Sequence, residues 1–400
     1  MKDKPTKKIL FYYDNYSGEG ARGGTEVATA RIANALKQEK WTVFHAFRNG
    51  EPITPETLYE AVVKLPKHGS RFVSRLSAFI QENGIDVIVN MSRFFRHKKL
   101  KTAIESSGLD VKLLFMHHFA PGSETTKTTY SAALHLLKLA PLNPRYGLRA
   151  LFYPLIKLPR RLQYKQAYAK VYEQSDGIIL LSEGYIPVYQ KYAGIEDQKK
   201  FTVIPNIYDP PAASKTDFVK EKRVLILSRM DEIQKRITLA LAIWKKIEAC
   251  GDLDDWHLDI VGNGHDMGLI NRQAKRMGLK NATFYGWQDG VPFLKRASIL
   301  MMTSLYEGLS LSMIEAQTFG AVPVAFHSYA SLTDIVEDGK TGIAVAPFGD
   351  IDKFADKLAS LMRNESRLYE MRANGKAQSE KFSSKAIASR WQVFLNDLMA

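Results

Sequence analysis

The sequence predicts an α/β fold made of two doubly wound domains with parallel sheets, and three observations indicate it. Short apolar runs alternate with segments of helical periodicity along the chain, which is typical of parallel strands covered by helices. A Pro-rich stretch at 205–211 separates two such series. The chain has 400 residues, about two to three times the usual size of one domain. We therefore expect domains at 1–205 and 222–380, joined by a linker at 206–221.

The first series begins with a strand-like run directly after the basic amino-terminal residues. Helical spacing of Val27, Ile32, Ala35 and Leu36 follows and predicts a crossover helix over 26–36. The strands predicted in this half lie at 8–13, 41–47, 86–90, 112–116 and 177–181.

The second series follows the linker and repeats the same alternation. Its predicted strands lie at 223–227, 257–261, 282–285, 299–302, 322–325 and 342–345. Ile387, Trp391, Phe394 and Leu398 then recur at helical spacing near the carboxyl terminus. We expect this last segment, 381–400, to be an amphipathic helix that packs back toward the first domain.

Composition excludes several classes of protein. With 45% apolar and 24% charged residues the chain has ordinary globular composition. Cys250 is the one cysteine, and the nine histidines show no metal-ligand spacing, so we expect no disulfide, metal or cofactor. The apolar stretch 9–13 is too short for a signal peptide, and no apolar run approaches the roughly 20 residues that cross a bilayer. These features favour a cytoplasmic protein that does not span a membrane.

Positive charge is concentrated in one segment. The chain carries 56 basic and 42 acidic residues, a net charge of +14. Between Glu124 and Glu173 there is no acidic residue, whereas nine basic residues lie there. A long segment of one sign indicates an anionic partner such as nucleic acid, lipid head groups or a phosphorylated substrate.

Two functional interpretations of this basic segment, 125–172, remain open beside a plain solvated face. Basic residues interleaved with tyrosines bind single-stranded nucleic acid by stacking, or lie at the surface of an anionic membrane. The apolar cluster at 150–156 favours the membrane, and we expect no nucleic acid. The predicted membrane-facing cations are Arg149, Lys157, Arg160 and Arg161.

A glycine-rich loop follows the first strand. Gly18, Gly20 and Gly23 form a G-x-G-x-x-G pattern, which in some strand-loop-helix units binds dinucleotides. However, Gly18 comes four residues after Asp14, and the second strand ends without an acid that would hold a ribose. We interpret the segment as a loop that a bulky or phosphorylated ligand approaches closely at a helix N-terminus. A simple surface turn is the alternative.

The strongest functional pattern spans 304–316. Glu307 and Gly308 follow a strand, and Ser310 is placed to cap a helix that carries Glu315. The amides and dipole at a helix N-terminus favour an anion. Carboxylates accept hydrogen bonds from sugar hydroxyls, while amides donate them to phosphate. The pattern therefore predicts a site for a nucleotide sugar.

This pattern, S-x-x-E-G followed by six residues and E-A, resembles the family-4 retaining glycosyltransferases of GT-B fold. G-x-x-P-V follows it here from Gly320 to Val324. The resemblance implies two Rossmann-like domains that face each other across a cleft. Further similar segments lie in the family's order at 23–26 (G-G-x-E), 203–206, 261–264 (V-G-x-G) and 334–342 (I-x-E-D-G-x-T-G).

The resemblance also implies roles for the donor-side residues. Glu315 would bond the ribose, and Glu307 would hold the donor sugar. Arg229 and Lys235 would neutralise the leaving diphosphate without a metal. Their two positive charges would replace those that a divalent ion supplies in other enzymes. The further donor-binding candidates are Gly24, Gly262, Gly308, Leu309 and Ser310.

On the acceptor side, the resemblance implies that a histidine at the end of the strand 112–116 faces the donor sugar. Register favours His118 over His117, although either ring could instead pack or end the strand. Gly23 and Thr25 are the other acceptor-side candidates.

Two positions depart from the family's pattern. The interval from Arg229 to Lys235 is one residue longer than usual, so Arg236 is a competing phosphate contact. Ala330 and Ser331 stand where two glycines are usual.

We therefore predict a metal-independent, retaining glycosyltransferase of hexosyltransferase type. It would move a sugar from a nucleotide-diphosphate donor to a lipid-linked or polysaccharide acceptor. The resemblance and the basic surface place it on the inner face of the cytoplasmic membrane, in lipopolysaccharide, capsule or glycolipid synthesis. A nucleotide-sugar epimerase or phosphorylase of the same fold is one alternative. A non-catalytic protein that binds nucleic acid or another anionic ligand is the other.

Overall fold

The computed structural model describes residues 7–18, 23–52, 56–67, 70–126, 134–135, 137, 139, 148, 153–209 and 218–400. The chain divides into two compact units. The first comprises Met1–Pro121, Arg161–Ile207 and Phe382–Ala400, and the second comprises Gly122–Arg160 and Tyr208–Lys381. The second unit therefore includes part of the basic segment, which differs from the predicted first domain of 1–205. Within this unit, His135 and Leu139 make the contacts described below.

The first unit contains a parallel sheet in the order β3-β2-β1-β4-β5-β6-β7. Every strand predicted in this half is present within two residues of its predicted bounds. The short edge strands β3 and β7 were not predicted. The strands are β1 (Lys8–Tyr12), β2 (Thr42–Phe47), β3 (Ala61–Lys64), β4 (Val87–Asn90), β5 (Lys112–His117), β6 (Gly177–Leu180) and β7 (Phe201–Val203).

The second unit contains a parallel sheet in the order β10-β9-β8-β11-β12-β13. Each of its strands was predicted from the apolar runs. They are β8 (Glu221–Leu227), β9 (His257–Val261), β10 (Ala282–Gly286), β11 (Ala297–Met302), β12 (Val322–Phe326) and β13 (Ile343–Val345). The predicted fold class, two doubly wound parallel sheets, is confirmed.

Helices cover both sheets. They are α1 (Gly24–Gln38), α2 (Ser70–Asn83), α3 (Phe94–Ser107), α4 (Ser123–Thr126), α5 (Tyr153–Gln174), α6 (Tyr185–Ala193), α7 (Glu232–Lys235), α8 (Ile237–Glu248), α9 (Met267–Met277), α10 (Val291–Arg296), α11 (Leu311–Thr318), α12 (Leu332–Ile335), α13 (Ile351–Met362), α14 (Glu365–Ser379) and α15 (Ser384–Leu398). None of the helices described is long and apolar enough to cross a bilayer.

The carboxyl-terminal helix α15 belongs to the first unit. Ile387 and Trp391, two residues of its apolar spacing, are fully buried. The Trp391 ring lies edge-on to Phe11 of β1, with 6.4 Å between centroids. The apolar face that the spacing predicts thus covers the first sheet.

Strand order reverses once in each sheet, between β1 and β4 and between β8 and β11. Loops that leave the carboxyl ends of strands on either side of such a reversal diverge, and a crevice opens between them. In the second unit these loops are 228–231 and 303–310, which contain most of the predicted donor-site residues.

Candidate active site

Hydrogen bonds join the loops that follow β8 and β11. The Leu305 amide donates to the Gln234 carbonyl at 2.7 Å. The Thr303 hydroxyl lies 3.0 Å from the carbonyl oxygens of both Lys235 and Arg236. The short helix α7 is therefore held against the β11 loop, and basic and acidic residues predicted for the donor site come together there.

Glu307 and Lys235 are in direct contact. The Lys235 Nζ lies 2.5 Å from Glu307 Oε1, with side chains 12% and 9% exposed. Gln234 Nε2 donates to the other carboxylate oxygen of Glu307 at 3.3 Å. Arg229 Nη2 donates to Gln234 Oε1 at 3.2 Å. The Gln234 side chain thus links Arg229 to Glu307, which also contacts Lys235. Its place next to Lys235 was the only signal for Gln234 in the sequence.

The geometry of α7 determines where Lys235 points. Asp231 caps this single turn, because its carboxylate accepts a hydrogen bond from the Gln234 amide at 3.2 Å. Arg236 ends the turn in the left-handed region, with φ of 52°. Its side chain is 7% exposed, and burial lowers the pKa of the guanidinium. Arg236, the competing phosphate contact, therefore lies inside the unit between α7 and α8.

The helix α11 begins after Ser310, as the pattern predicts. Ser310 is the N-cap residue, but its hydroxyl makes no capping bond to the helix. The hydroxyl instead lies 3.5 Å from Met302 Sδ and 3.3 Å from Ser312 Oγ. Leu309 is buried and Gly308 half-buried in the loop before the cap, while Glu315 is half-buried in the second turn of the helix.

Gly262, a predicted donor-binding residue, permits a close backbone approach. It follows β9 with φ of 139°, and a Cβ atom there would lie 1.8 Å from the Ser228 carbonyl oxygen. A Cβ on Gly264 would lie 2.5 Å from the Met230 carbonyl oxygen. These glycines let the β9 loop pack directly on the backbone that carries Arg229.

Tyr306 is a neighbour of this site that the sequence analysis missed. Burial raises the pKa of its hydroxyl, and the nearby carboxylates of Asp231 and Glu307 raise it further. The buried hydroxyl has no hydrogen-bond partner among the residues described. The phenol therefore remains protonated and offers a donor beside Glu307.

Three side chains with metal-ligand chemistry also lie near α7. Asp231, His265 and Asp266 place one ligand atom each within 4.8 Å of one another. This cluster was not predicted, because His265 and Asp266 lie on a different loop from Asp231. The Asp266 carboxylate accepts a hydrogen bond from the Glu232 amide at 2.8 Å, and burial raises its pKa. These two carboxylates thus already hold the α7 turn.

The two histidine candidates belong to the first unit and differ in surroundings. His117 ends β5, is 3% exposed and packs among the rings of Phe94, Phe115, Tyr168 and Tyr189. His118 follows the strand beside the Asn206 amide, and burial lowers its pKa to about 3. The His118 imidazole is therefore neutral at physiological pH.

Gly23, Gly24 and Thr25 also lie in the first unit, at the start of α1. Gly23 is the N-cap residue in an extended conformation, and its carbonyl accepts a hydrogen bond from the Val27 amide at 2.9 Å. The Glu26 carboxylate accepts one from Nδ2 of the Asn15 side chain at 2.9 Å. Gly20 of the predicted pattern lies outside the described residues.

The predicted membrane-facing cations are only partly described. Arg149 lies outside the described residues, and so does the side chain of Lys157. Arg160 is half-buried and Arg161 exposed on α5.

Ala330 and Ser331, which replace the usual glycine pair, precede α12 in the second unit. Ser331 is fully buried.

Comparison with known proteins finds similarity to glycosyltransferases. Residues 211–378 match the family model "Glycosyl transferases group 1". A Campylobacter jejuni protein is 24% identical over 92% of this chain and 94% of its own. It is named GalNAc-alpha-(1->4)-GalNAc-alpha-(1->3)-diNAcBac-PP-undecaprenol alpha-1,4-N-acetyl-D-galactosaminyltransferase. A Bacillus subtilis poly(glycerol-phosphate) alpha-glucosyltransferase is also 24% identical, over 59% of this chain and about a third (35%) of its own length.

Among solved structures, the lipopolysaccharide outer core galactosyltransferase WaaB superposes with a TM-score of 0.69 at 16% identity. The superposition covers 97% of this chain and 99% of that one. The likeness shows that the chain has the GT-B fold of such glycosyltransferases.

Proposed function

We propose that this GT-B glycosyltransferase transfers a sugar, with retention and without a metal, from a nucleotide-diphosphate donor to a lipid-linked or polysaccharide acceptor. We further propose that it is of the family-4 type and acts in the synthesis of cell-envelope glycans. The observation that carries the proposal is the contact network of Arg229, Gln234, Lys235 and Glu307 at the strand-order reversal of the second sheet.

The donor diphosphate would lie between Arg229, Lys235 and the N-terminus of α11. Both cations are held by the Gln234 and Glu307 contacts, so their positions are set before a ligand binds. Preorganised cations stabilise the negative charge that develops on a leaving phosphate. The Ser310 hydroxyl makes no capping bond, and the Met313 amide donates to the Ser310 carbonyl. The amides of Leu311 and Ser312 would therefore donate to the phosphate oxygens.

Glu307 and Glu315 supply acceptors for the hydroxyls of the donor. Glu307 contacts Lys235 and would hold the transferred sugar. Glu315 lies one turn inside α11 and would hold the ribose. In the transfer, the bond between the anomeric carbon and the phosphate oxygen breaks. The acceptor oxygen bonds to the anomeric carbon from the same face and gives its proton to the departing phosphate.

In the first unit, His118 is the residue that we propose faces the donor sugar. Its low pKa keeps the imidazole neutral, so the ring can donate one hydrogen bond and accept another. His117 is less suited to this role because aromatic rings surround it. Gly23 and Thr25 would lie on the acceptor side.

The acceptor class is proposed from the relatives and from the surface of the first unit. The name of the Campylobacter jejuni relative specifies an undecaprenol-linked acceptor. On this chain, Phe95 of α3 and Leu162 of α5 are 50% and 52% exposed. The Phe95 ring contacts Tyr164 at 5.9 Å between centroids, and Arg161 and Lys165 are exposed nearby in sequence. Exposed apolar side chains among cations suit the surface of an anionic membrane, so we propose peripheral association with its cytoplasmic face.

A thermal-shift screen of the purified chain against UDP, GDP, ADP and CMP sugars tests the donor proposal. A stabilisation by one nucleotide class identifies the base. Product analysis with that donor and a lipid-linked acceptor then separates transfer from epimerisation, because an epimerase needs no acceptor. Failure of every nucleotide sugar to stabilise the chain would contradict the proposed donor site.

A further inference from the structure

Glu232, the first residue of α7, carries a carboxylate that is completely buried. Its Oε2 accepts a hydrogen bond from the Thr238 amide at 3.1 Å, and its Oε1 accepts one from the Thr238 hydroxyl at 2.5 Å. Its own amide donates to Asp266. A buried carboxylate needs several donors to offset its loss of hydration. Glu232 therefore fixes the turn that carries Gln234 and Lys235.

A further donor to the Glu232 carboxylate, His135, comes from the basic segment. His135 Nε2 lies 2.9 Å from Glu232 Oε1, although the two residues are 97 positions apart. A second contact joins the same segment to α9, where Gln273 Nε2 donates to the Leu139 carbonyl at 3.1 Å. The described residues of 134–139 are thus attached to the second unit at two points, one of them directly on α7.

We propose that His135 is a positioning residue for the donor-phosphate turn. By donating to Glu232 it holds α7 in the orientation that places Lys235 on Glu307 and Gln234 on Arg229. The part of this inference that concerns phosphate rests on the function proposed above. His135 and Leu139 are consequently held on the donor-binding unit. Loss of the His135 contact with Glu232 weakens the phosphate site without touching a phosphate-binding side chain.

Hydrogen exchange and binding of inorganic pyrophosphate test this inference with two variants. His135→Ala removes the donor, whereas His135→Gln keeps an N–H at the position of Nε2. In His135→Ala we expect amide exchange of 232–238 to quicken about tenfold, since a hydrogen bond to a charged group is lost. We expect pyrophosphate affinity to fall by a similar factor, and His135→Gln to restore both.

Gln273→Ala is the matched control, because it removes the contact with Leu139 and leaves Glu232 untouched. Exchange of 232–238 should stay at the wild-type rate in this variant. Unchanged exchange in His135→Ala, or equal acceleration in His135→Gln, would overturn the positioning role. If the exchange results hold while the wild-type chain binds no pyrophosphate, the donor-site function fails and the role of His135 in holding α7 stands.

Discussion

The Lys235 ammonium and the Glu307 carboxylate form an ion pair, with 2.5 Å between Nζ and Oε1 and both side chains almost entirely buried. Removal of one partner of such a pair leaves an uncompensated charge away from water. Gln234 bonds the second carboxylate oxygen, so the pair also has a fixed orientation. The charge and the position of Lys235 therefore depend on Glu307, and those of Glu307 depend on Lys235.

This dependence predicts coupled losses of activity. Glu307→Gln should lower kcat/KM for sugar transfer by about 100-fold, a loss typical of removing one preorganised charged group. Lys235→Ala should have a similar effect because the leaving diphosphate loses a cation. The double variant should lose little more than either single variant, since the residues act as a unit. Steady-state kinetics measure all three, and wild-type activity in both single variants would refute the site.

Glu315 provides a separate test of nucleotide binding. Glu315→Ala should abolish the thermal stabilisation by the nucleotide sugar that binds the wild-type chain, because the ribose loses its carboxylate acceptor. Glu370→Ala, an exposed carboxylate on α14, is the control and should respond to the donor as the wild type does. A full donor response in Glu315→Ala would place the ribose elsewhere.

Gly262 should be intolerant of a side chain. A Cβ there would lie 1.8 Å from the Ser228 carbonyl oxygen, in a backbone conformation with φ of 139°. We expect Gly262→Ala to lower the free energy of unfolding by more than about 3 kcal/mol, through strain and displaced backbone. Gly278→Ala also has positive φ but meets no atom within 4 Å, so it should cost only about 1 kcal/mol. Urea denaturation compares them, and equal losses would argue against the close approach.

His118 should make the chain sensitive to acid. Its pKa is about 3 when folded, below the ordinary value of 6.5, so the unfolded chain binds the extra proton between these pH values. The contribution of neutral, buried His118 to the free energy of unfolding is therefore complete above pH 6.5. It is lost progressively as the pH falls toward 3. Between pH 7.5 and 5 one such histidine costs about 2 kcal/mol. Denaturation of His118→Asn at both pH values should show a pH-dependent loss smaller by about that amount. An unchanged difference would show that His118 titrates normally.

The basic segment should contribute to membrane binding. Replacement of Arg160 and Arg161 by Glu should weaken binding to vesicles containing phosphatidylglycerol at least 10-fold, since each cation near an acidic leaflet contributes about 1 kcal/mol. Hydrolysis of the donor should not change. Replacement of Lys275 and Arg276, an exposed pair on α9, by Glu is the matched control. Equal vesicle binding by the wild type and the Arg160/Arg161 variant in sedimentation would exclude the membrane interpretation.

Much of the second unit was predictable because its signals are local. The run at 299–302 is apolar at every position and is followed by Glu307, Gly308 and Ser310, so strand, loop and helix start are encoded within a dozen residues. Gln234 could not be identified in this way. Its role depends on a loop more than 60 residues later in the chain, which presents Glu307 to it.

The amino-acid sequence by itself determined the alternation of strands and helices, the two parallel sheets and the residues at the carboxyl ends of β8 and β11. It did so because apolar periodicity and capping act between near neighbours. Only the tertiary structure decided that Lys235 pairs with Glu307 and that His135 reaches Glu232 in the second unit. Both contacts form between a buried charge and a donor that come together only when the chain folds. His135 and Glu232 are 97 positions apart, so no short-range sequence pattern predicts their hydrogen bond.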